Sequence, residues 1–253
     1  MFFWCAHLVI EVGVFSYLRA AMKCRNLILV FLLFVGISLC AQGRYHPGDV
    51  VPKPYLKVFG FERFFEIMPI SEEQKALMQG CSFHDEKIVS WDELRYLRVL
   101  HSDAEGNAIV GEMVCNKVIA EDLLLIFKEL YKAQYPIESI LLIEHFHGDD
   151  EASMQANNTS CFNQRHIPIG GLMSKHSYGM AVDINPKYNP YYKVREGKTP
   201  LIRPKGSEIW LDRKEASPYL IRKGDLCYKL FKQKGFHWGG EWLSGKDYQH
   251  FEK

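Results

Sequence analysis

Two short stretches near the C-terminal end of the chain contain residue types that bind metal ions and move protons. His176 lies seven positions before Asp183, and Asp247 lies three positions before His250. Two imidazoles and one carboxylate match the protein ligands of a catalytic zinc ion, which keeps a fourth position open for water. A further carboxylate beside such an ion can act as a general base. If the four side chains converge, the chain is a hydrolase.

The segments around these residues indicate how the side chains could meet. Residues 180–184 are typical of a strand, in which Ala181 and Asp183 share one face. Gly179 permits a tight bend that returns His176 toward this strand. Asp247 and His250 would share a face on a helical turn. Each pair by itself is common in surface loops, so neither identifies a site alone.

The rest of the sequence predicts a mixed fold. Ser71 and Gln74 have the spacing of a capping box, which opens a helix. Apolar residues recur at helical spacing between residues 118 and 133, and Asp225 is a typical N-cap for a helix that ends near Lys234. Strands are predicted for residues 94–100, 108–115, 140–143 and 180–184, and a long polar loop for residues 148–171. This mix predicts an α+β fold in which an antiparallel sheet forms the floor of one site.

Composition and charge limit the possible partners. The 253 residues carry a net charge of +1, which provides no basic surface for nucleic acid, so we expect no nucleic-acid partner. Four cysteines lie outside the N-terminal segment, at positions 81, 115, 161 and 227. In an oxidising compartment Cys81, Cys115, Cys161 and Cys227 allow three disulfide pairings, and four buried free thiols are the alternative.

The N-terminal segment resembles a targeting signal. A short basic start at residues 22–26 precedes an apolar run at residues 27–37 and a small-residue region at residues 38–43. We therefore interpret residues 1–43 as an N-terminal extension and signal peptide, with Met22 as the true start. The protein is then exported to the periplasm or the extracellular space, with no stable membrane span after cleavage. An uncleaved N-terminal membrane anchor is the alternative.

The two chemical motifs are similar to those of a known family. Residues 174–183 match the pattern SxHxxGxAxD, and residues 247–251 match DxxHF. The chain thereby resembles the VanY-like D-alanyl-D-alanine carboxypeptidases, a family of zinc metallopeptidases that includes L-Ala–D-Glu endopeptidases (LAS-type, with the hedgehog/DD-peptidase fold). The similarity covers residues 113–253, which we expect to form the catalytic domain. Residues 44–112 match less and would form the N-terminal part of the domain.

The resemblance implies a role for each matched residue. It implies one Zn²⁺ per chain, a base that activates water, an arginine on the scissile carbonyl oxygen or substrate carboxylate, and a substrate-binding hydroxyl. These positions correspond to the ligands His176, Asp183 and His250, the base Asp247, the arginine Arg165 and the hydroxyl of Ser174. Many carboxypeptidase members have Glu as the base, so Asp247 favours the endopeptidase branch, although both activities stay open.

The expected function is therefore that of a secreted zinc peptidase that hydrolyses amide bonds of peptidoglycan stem peptides. The alternative is a catalytically silent module of the same fold that keeps zinc and binds the cell wall or a protein. Residues 144–147 contain two histidines that could form a second metal pair, or could merely alternate at a strand end. Near the C-terminus, we expect Phe251 to be buried and the loss of Glu252 and Lys253 to be mild.

Overall fold

The positions of helices and strands follow local sequence signals in most of the chain. The computed structural model describes residues 45–167, 171–214 and 216–253, so the predicted extension and signal peptide lie outside the described residues. The described helices are α1 (Lys53–Phe59), α2 (Glu72–Met78), α3 (Lys117–Lys132), α4 (Asp150–Gln155) and α5 (Leu226–Gln233). None of them is long and apolar enough to cross a bilayer.

Side chains at the helix starts explain where these helices begin. Ser71 and Gln74 form the predicted capping box at α2, because each side chain bonds the other residue's backbone N–H. The side chain of Asp225 accepts a hydrogen bond from the backbone of Tyr228 at the start of α5, as predicted. Helix α3 begins at the N-cap Asn116 and buries the apolar face that the sequence predicted.

A four-stranded antiparallel sheet provides the larger part of the scaffold. Its strands are β1 (Val50–Val51), β2 (Glu66–Met68), β3 (Leu94–Ser102) and β4 (Ala108–Asn116), in the order β1-β4-β3-β2. Strands β3 and β4 pair without interruption from Leu94–Asn116 to Ser102–Ala108, and α3 packs against them. The domain boundary predicted from the sequence lies after residue 112. Strand β4 includes residues on both sides of that boundary, so both predicted segments contribute to this sheet.

Shorter strands form the rest of the fold. Strands β5 (Ser139–Ile140) and β6 (Asn158–Thr159) form a parallel pair. A second sheet has the order β10-β12-β7, and a third has the order β11-β8-β9. Their strands are β7 (Ala181–Asp183), β8 (Tyr191–Arg195), β9 (Lys198–Arg203), β10 (His237–Trp238), β11 (Lys246–Asp247) and β12 (His250–Glu252). This mixed content with antiparallel sheets is compatible with the predicted α+β class.

Three local predictions were wrong in detail. Asp247 and His250 do not lie on a helical turn, because the first ends β11 and the second begins β12. The strand predicted for residues 140–143 is limited to Ser139–Ile140, and a 3₁₀ helix follows it. The loop predicted for residues 148–171 contains α4 and β6. The first two patterns span only four residues each, too few to determine a conformation. In the third, a local signal was missed, because the side chain of Asp149 caps the start of α4.

Candidate active site

Three predicted ligand side chains converge in the core of the C-terminal half. Nδ1 of His250 lies 2.9 Å from Oδ1 of Asp183, and Nε2 of His176 lies 3.2 Å from Oδ2 of Asp183. The two imidazole nitrogens are 3.2 Å apart. One ligand atom from each residue lies within 4.8 Å of the others, and all three residues are buried. Two imidazole nitrogens and a carboxylate at this spacing fit a zinc ion.

Strand pairing brings two of these residues together. Asp183 in β7 and His250 in β12 are directly opposite each other in the antiparallel pair. Directly opposite residues project from the same face of a sheet, so the carboxylate and the imidazole become neighbours. Phe251 then projects from the other face, where it is fully buried and stacks on Phe231 with ring centroids 4.2 Å apart. The predicted burial of Phe251 is confirmed, and it fixes the strand that carries His250.

Gly179 places the third ligand, His176. It follows a 3₁₀ turn, Lys175–Tyr178, and adopts a left-handed conformation with φ of 65°. A Cβ on Gly179 would lie 2.6 Å from the backbone nitrogen of Asn116, which donates a hydrogen bond to the Gly179 carbonyl. Only glycine satisfies both constraints. The bend predicted from the sequence therefore attaches the site to the end of β4.

Outer hydrogen bonds orient both imidazoles toward the shared centre. Nδ1 of His176 lies 2.5 Å from the carbonyl oxygen of Cys161, and Nε2 of His250 lies 3.1 Å from Oε2 of Glu252. With protons on these outer nitrogens, the inner nitrogens keep the lone pairs that a metal ion requires. Glu252 is a residue that the sequence analysis missed and considered dispensable. Its position two residues after the ligand was the available signal, since alternate strand residues share a face.

The charges of the triad stabilise one another. Burial opposes ionisation of Asp183, but the positive charge and hydrogen bonds of His176 and His250 outweigh it and hold the pKa of Asp183 far below its usual range. Burial lowers the pKa of His250, yet hydrogen bonds to Asp183 and Glu252 outweigh this effect and raise that pKa to about 10. Because a ligand nitrogen needs a free lone pair, zinc binding must displace the proton that charged His250 carries on its inner nitrogen, Nδ1, while Nε2 keeps its proton.

Asp247 lies in the same cavity as the triad, with properties that suit a proton acceptor. Its Oδ1 atom is closed off from solvent and has no hydrogen-bond partner among the described residues. Desolvation, together with the charge of Asp183, raises the pKa of Asp247 to about 7, although His250 and Arg165 oppose the shift. A carboxylate with a pKa near neutrality can both accept and return a proton. Gly239 makes room for it, because a Cβ there would lie 2.7 Å from the Cβ of Asp247.

Arg165 and Ser174 line the same cavity, but each is also held by the protein. Nε of Arg165 lies 3.1 Å from Oδ1 of Asp150, an ion pair whose angle is too poor for a hydrogen bond. The backbone N–H and C=O of Arg165 both bond the hydroxyl of Ser177. The hydroxyl of Ser174 accepts a hydrogen bond from the backbone N–H of His176, so this serine also caps the turn that carries a ligand.

The cavity around these groups has a volume of about 340 Å³. Polar and charged side chains occupy one part of its wall, and Met154, Ile167, Leu172, Leu201 and Trp242 add apolar surface. A cavity of this kind, with a few convergent polar groups in a largely apolar wall, is typical of a small-ligand or peptide site. The structure therefore places all six residues implied by the family resemblance around one cavity.

The other candidate residues lie outside this cavity. Cys81, Cys115, Cys161 and Cys227 are free thiols, and all but the half-buried Cys81 are buried, close to the alternative that the sequence left open. His145 pairs with Glu112 at 3.0 Å, and residues 144–147 form no second group of three metal ligands in the part of the chain that the structure describes. The possible second metal pair is thus not supported there.

Comparison with known proteins gives one match. The model of a family described as D-alanyl-D-alanine carboxypeptidase matches residues 170–253, a segment that contains His176, Asp183, Asp247 and His250. This match supports the family that the motifs indicated. No curated protein and no solved structure matches the chain.

Proposed function

We propose that the protein is an exported zinc peptidase, because residues 170–253 match the model of a D-alanyl-D-alanine carboxypeptidase family. Its substrates are the stem peptides of peptidoglycan, and it hydrolyses their amide bonds as a D-Ala-D-Ala carboxypeptidase or as an L-Ala–D-Glu endopeptidase. The hedgehog/DD-peptidase fold and an exported location belong to the same proposal. The observation that carries it is the convergence of His176, Asp183 and His250 beside Asp247 in one cavity.

Different residues of the protein would perform metal binding, proton transfer and charge stabilisation during amide hydrolysis. His176, Asp183 and His250 would hold the zinc ion, which supplies Lewis acidity and lowers the pKa of water. Asp247 accepts a proton from the attacking water and returns it to the leaving amine, a role that its pKa of about 7 suits. Arg165, held by Asp150, directs its remaining guanidinium nitrogens at the developing negative charge of the carbonyl oxygen. Ser174 keeps His176 in place and offers its hydroxyl to the substrate.

Digestion of purified peptidoglycan tests the proposal. We expect the zinc-loaded protein to release fragments, and the chelator-treated protein to release none until zinc is restored. Mass analysis separates the two activities, because a carboxypeptidase removes one terminal D-Ala and an endopeptidase cuts after the first L-Ala. Stoichiometric zinc with no hydrolysis of any wall fragment would instead establish the silent binding module.

A further inference from the structure

A second arginine, Arg203, lines the cavity that contains the triad. It differs from Arg165 in its surroundings. Arg165 has the carboxylate of Asp150 at 3.1 Å, whereas no Asp or Glu among the described residues lies within ion-pairing distance of Arg203. Arg203 lies outside the two sequence motifs, which span residues 174–183 and 247–251. In the structure it borders the same cavity as Asp247 and the triad.

Strand register fixes the position of Arg203 relative to the proposed base. In the sheet β11-β8-β9, Asp247 is directly opposite Tyr191, and Tyr191 is directly opposite Arg203. Directly opposite residues in antiparallel strands project from the same face, with Cα atoms about 4.5–5.5 Å apart. The Cα of Arg203 therefore lies about 10 Å from that of Asp247 on the cavity side. Burial and the charge of Asp247 raise the pKa of Tyr191 while Arg203 opposes the shift, as expected if both flank its hydroxyl.

Arg213 is an arginine whose guanidinium is held by hydrogen bonds within the protein, and it provides a comparison for Arg203. Its guanidinium donates hydrogen bonds to the carbonyl oxygens of Tyr188, Trp210 and Ile221 and to the side chain of Asn189. Arg203 makes no such contact in the described part of the chain. A half-buried guanidinium beside apolar side chains loses part of its hydration, so a ligand with a negative charge would be stabilised there.

We propose that Arg203 binds a carboxylate of the substrate, within about three residues of the scissile amide, since an extended residue spans about 3.3–3.6 Å. Arg165, already held by Asp150, then serves the scissile carbonyl. This inference rests on the proposed peptidase function. Two carboxylates of a stem peptide have the required chemistry: the C-terminal carboxylate and the free α-carboxylate of the γ-linked D-glutamate.

Matched peptides test which carboxylate is bound. The zinc-loaded full chain is assayed on a stem pentapeptide, on the same peptide with a C-terminal amide, and on the peptide whose D-glutamate α-carboxylate is amidated. For the wild type, we expect kcat/KM to fall about 10- to 100-fold on one of the two amides, the range typical of a charged hydrogen bond. Arg203→Met should lose this preference, mainly through KM, and cleave acid and amide at similar rates.

Each variant is compared with itself on paired substrates, so partial misfolding cancels from the acid-to-amide ratio. Lys198→Met removes a positive charge from the same strand outside the cavity and should keep the wild-type ratio. If Arg203→Met keeps the wild-type preference, or if the wild type cleaves acid and both amides equally, the inference is overturned while the peptidase function stands. A wild type that cleaves none of the peptides overturns both.

Discussion

The four-stranded sheet and the small sheet β10-β12-β7 differ in strand length, in the sequence separation of paired residues and in the side chains that they bury. In the first, β3 and β4 are nine-residue strands that follow each other in sequence and pair along their whole length. In the second, the strands have two or three residues, and the directly paired Asp183 and His250 are 67 positions apart. The larger sheet buries apolar residues such as Leu97 and Val99, whereas the smaller one places charged groups side by side.

This difference separates stability from chemistry. Paired ionic groups in a buried site cost desolvation energy, so they contribute little net stability. The apolar side chains of the larger sheet and of α3 must stabilise the fold that holds them. Damage to the larger sheet should therefore change how much protein is folded, and damage to the smaller sheet should change what the folded protein does.

The largest effect is expected from removing a ligand in the small sheet. His250→Ala deletes one of three proposed zinc ligands and leaves Asp183 without its nearest partner. We expect the purified protein to lose bound zinc and all measurable hydrolysis while it keeps its circular dichroism spectrum. Zinc content by atomic absorption and hydrolysis of a stem peptide are the two measurements. A fully active His250→Ala enzyme would mean that the metal site lies elsewhere.

Removing a buried apolar side chain from the larger sheet should lower stability and leave activity per folded molecule unchanged. Leu97 is fully buried in β3, so Leu97→Ala should lower the free energy of unfolding by about 2–5 kcal/mol. Urea denaturation measures this loss. Activity per folded molecule at low urea should stay close to that of the wild type, and a large fall in kcat would show that the two regions are not separable.

A change of proton acceptor should affect chemistry alone. Asp247→Asn keeps the shape of the side chain but removes its basic lone pair, so we expect kcat to fall at least about 10²-fold with zinc content and unfolding free energy nearly unchanged. Steady-state kinetics and zinc analysis on the same sample provide the check. Near-normal kcat in this variant would assign the base to another group.

A smaller effect is expected at Glu252, which touches the ligand rather than the metal. Because Oε2 of Glu252 accepts a hydrogen bond from Nε2 of His250, Glu252→Ala should weaken zinc binding by about 10- to 100-fold. Competition with a chromogenic chelator gives the affinity. Lys253→Met is the matched control, since Lys253 pairs with Asp122 at 2.8 Å instead. Equal zinc affinities in both variants would show that Glu252 is dispensable, as expected from the sequence.

Local patterns in the sequence were enough for the elements that local interactions determine. The capping box at Ser71, the cap at Asp225, the β3–β4 pair and the amphipathic face of α3 were predicted with nearly correct bounds. Each depends on residues close in sequence. The motifs at residues 174–183 and 247–251 also gave the candidate ligands and base, through their resemblance to a family of zinc peptidases.

Tertiary structure decided what depends on distant partners. The helical turn expected for Asp247 and His250 is a pair of strand ends, because β8 and β7 are available to pair with them. The contact of Glu252 with His250 and the row from Asp247 through Tyr191 to Arg203 follow from register between strands far apart in sequence. A one-residue shift in that register would turn these side chains to the other face, and no local pattern specifies it.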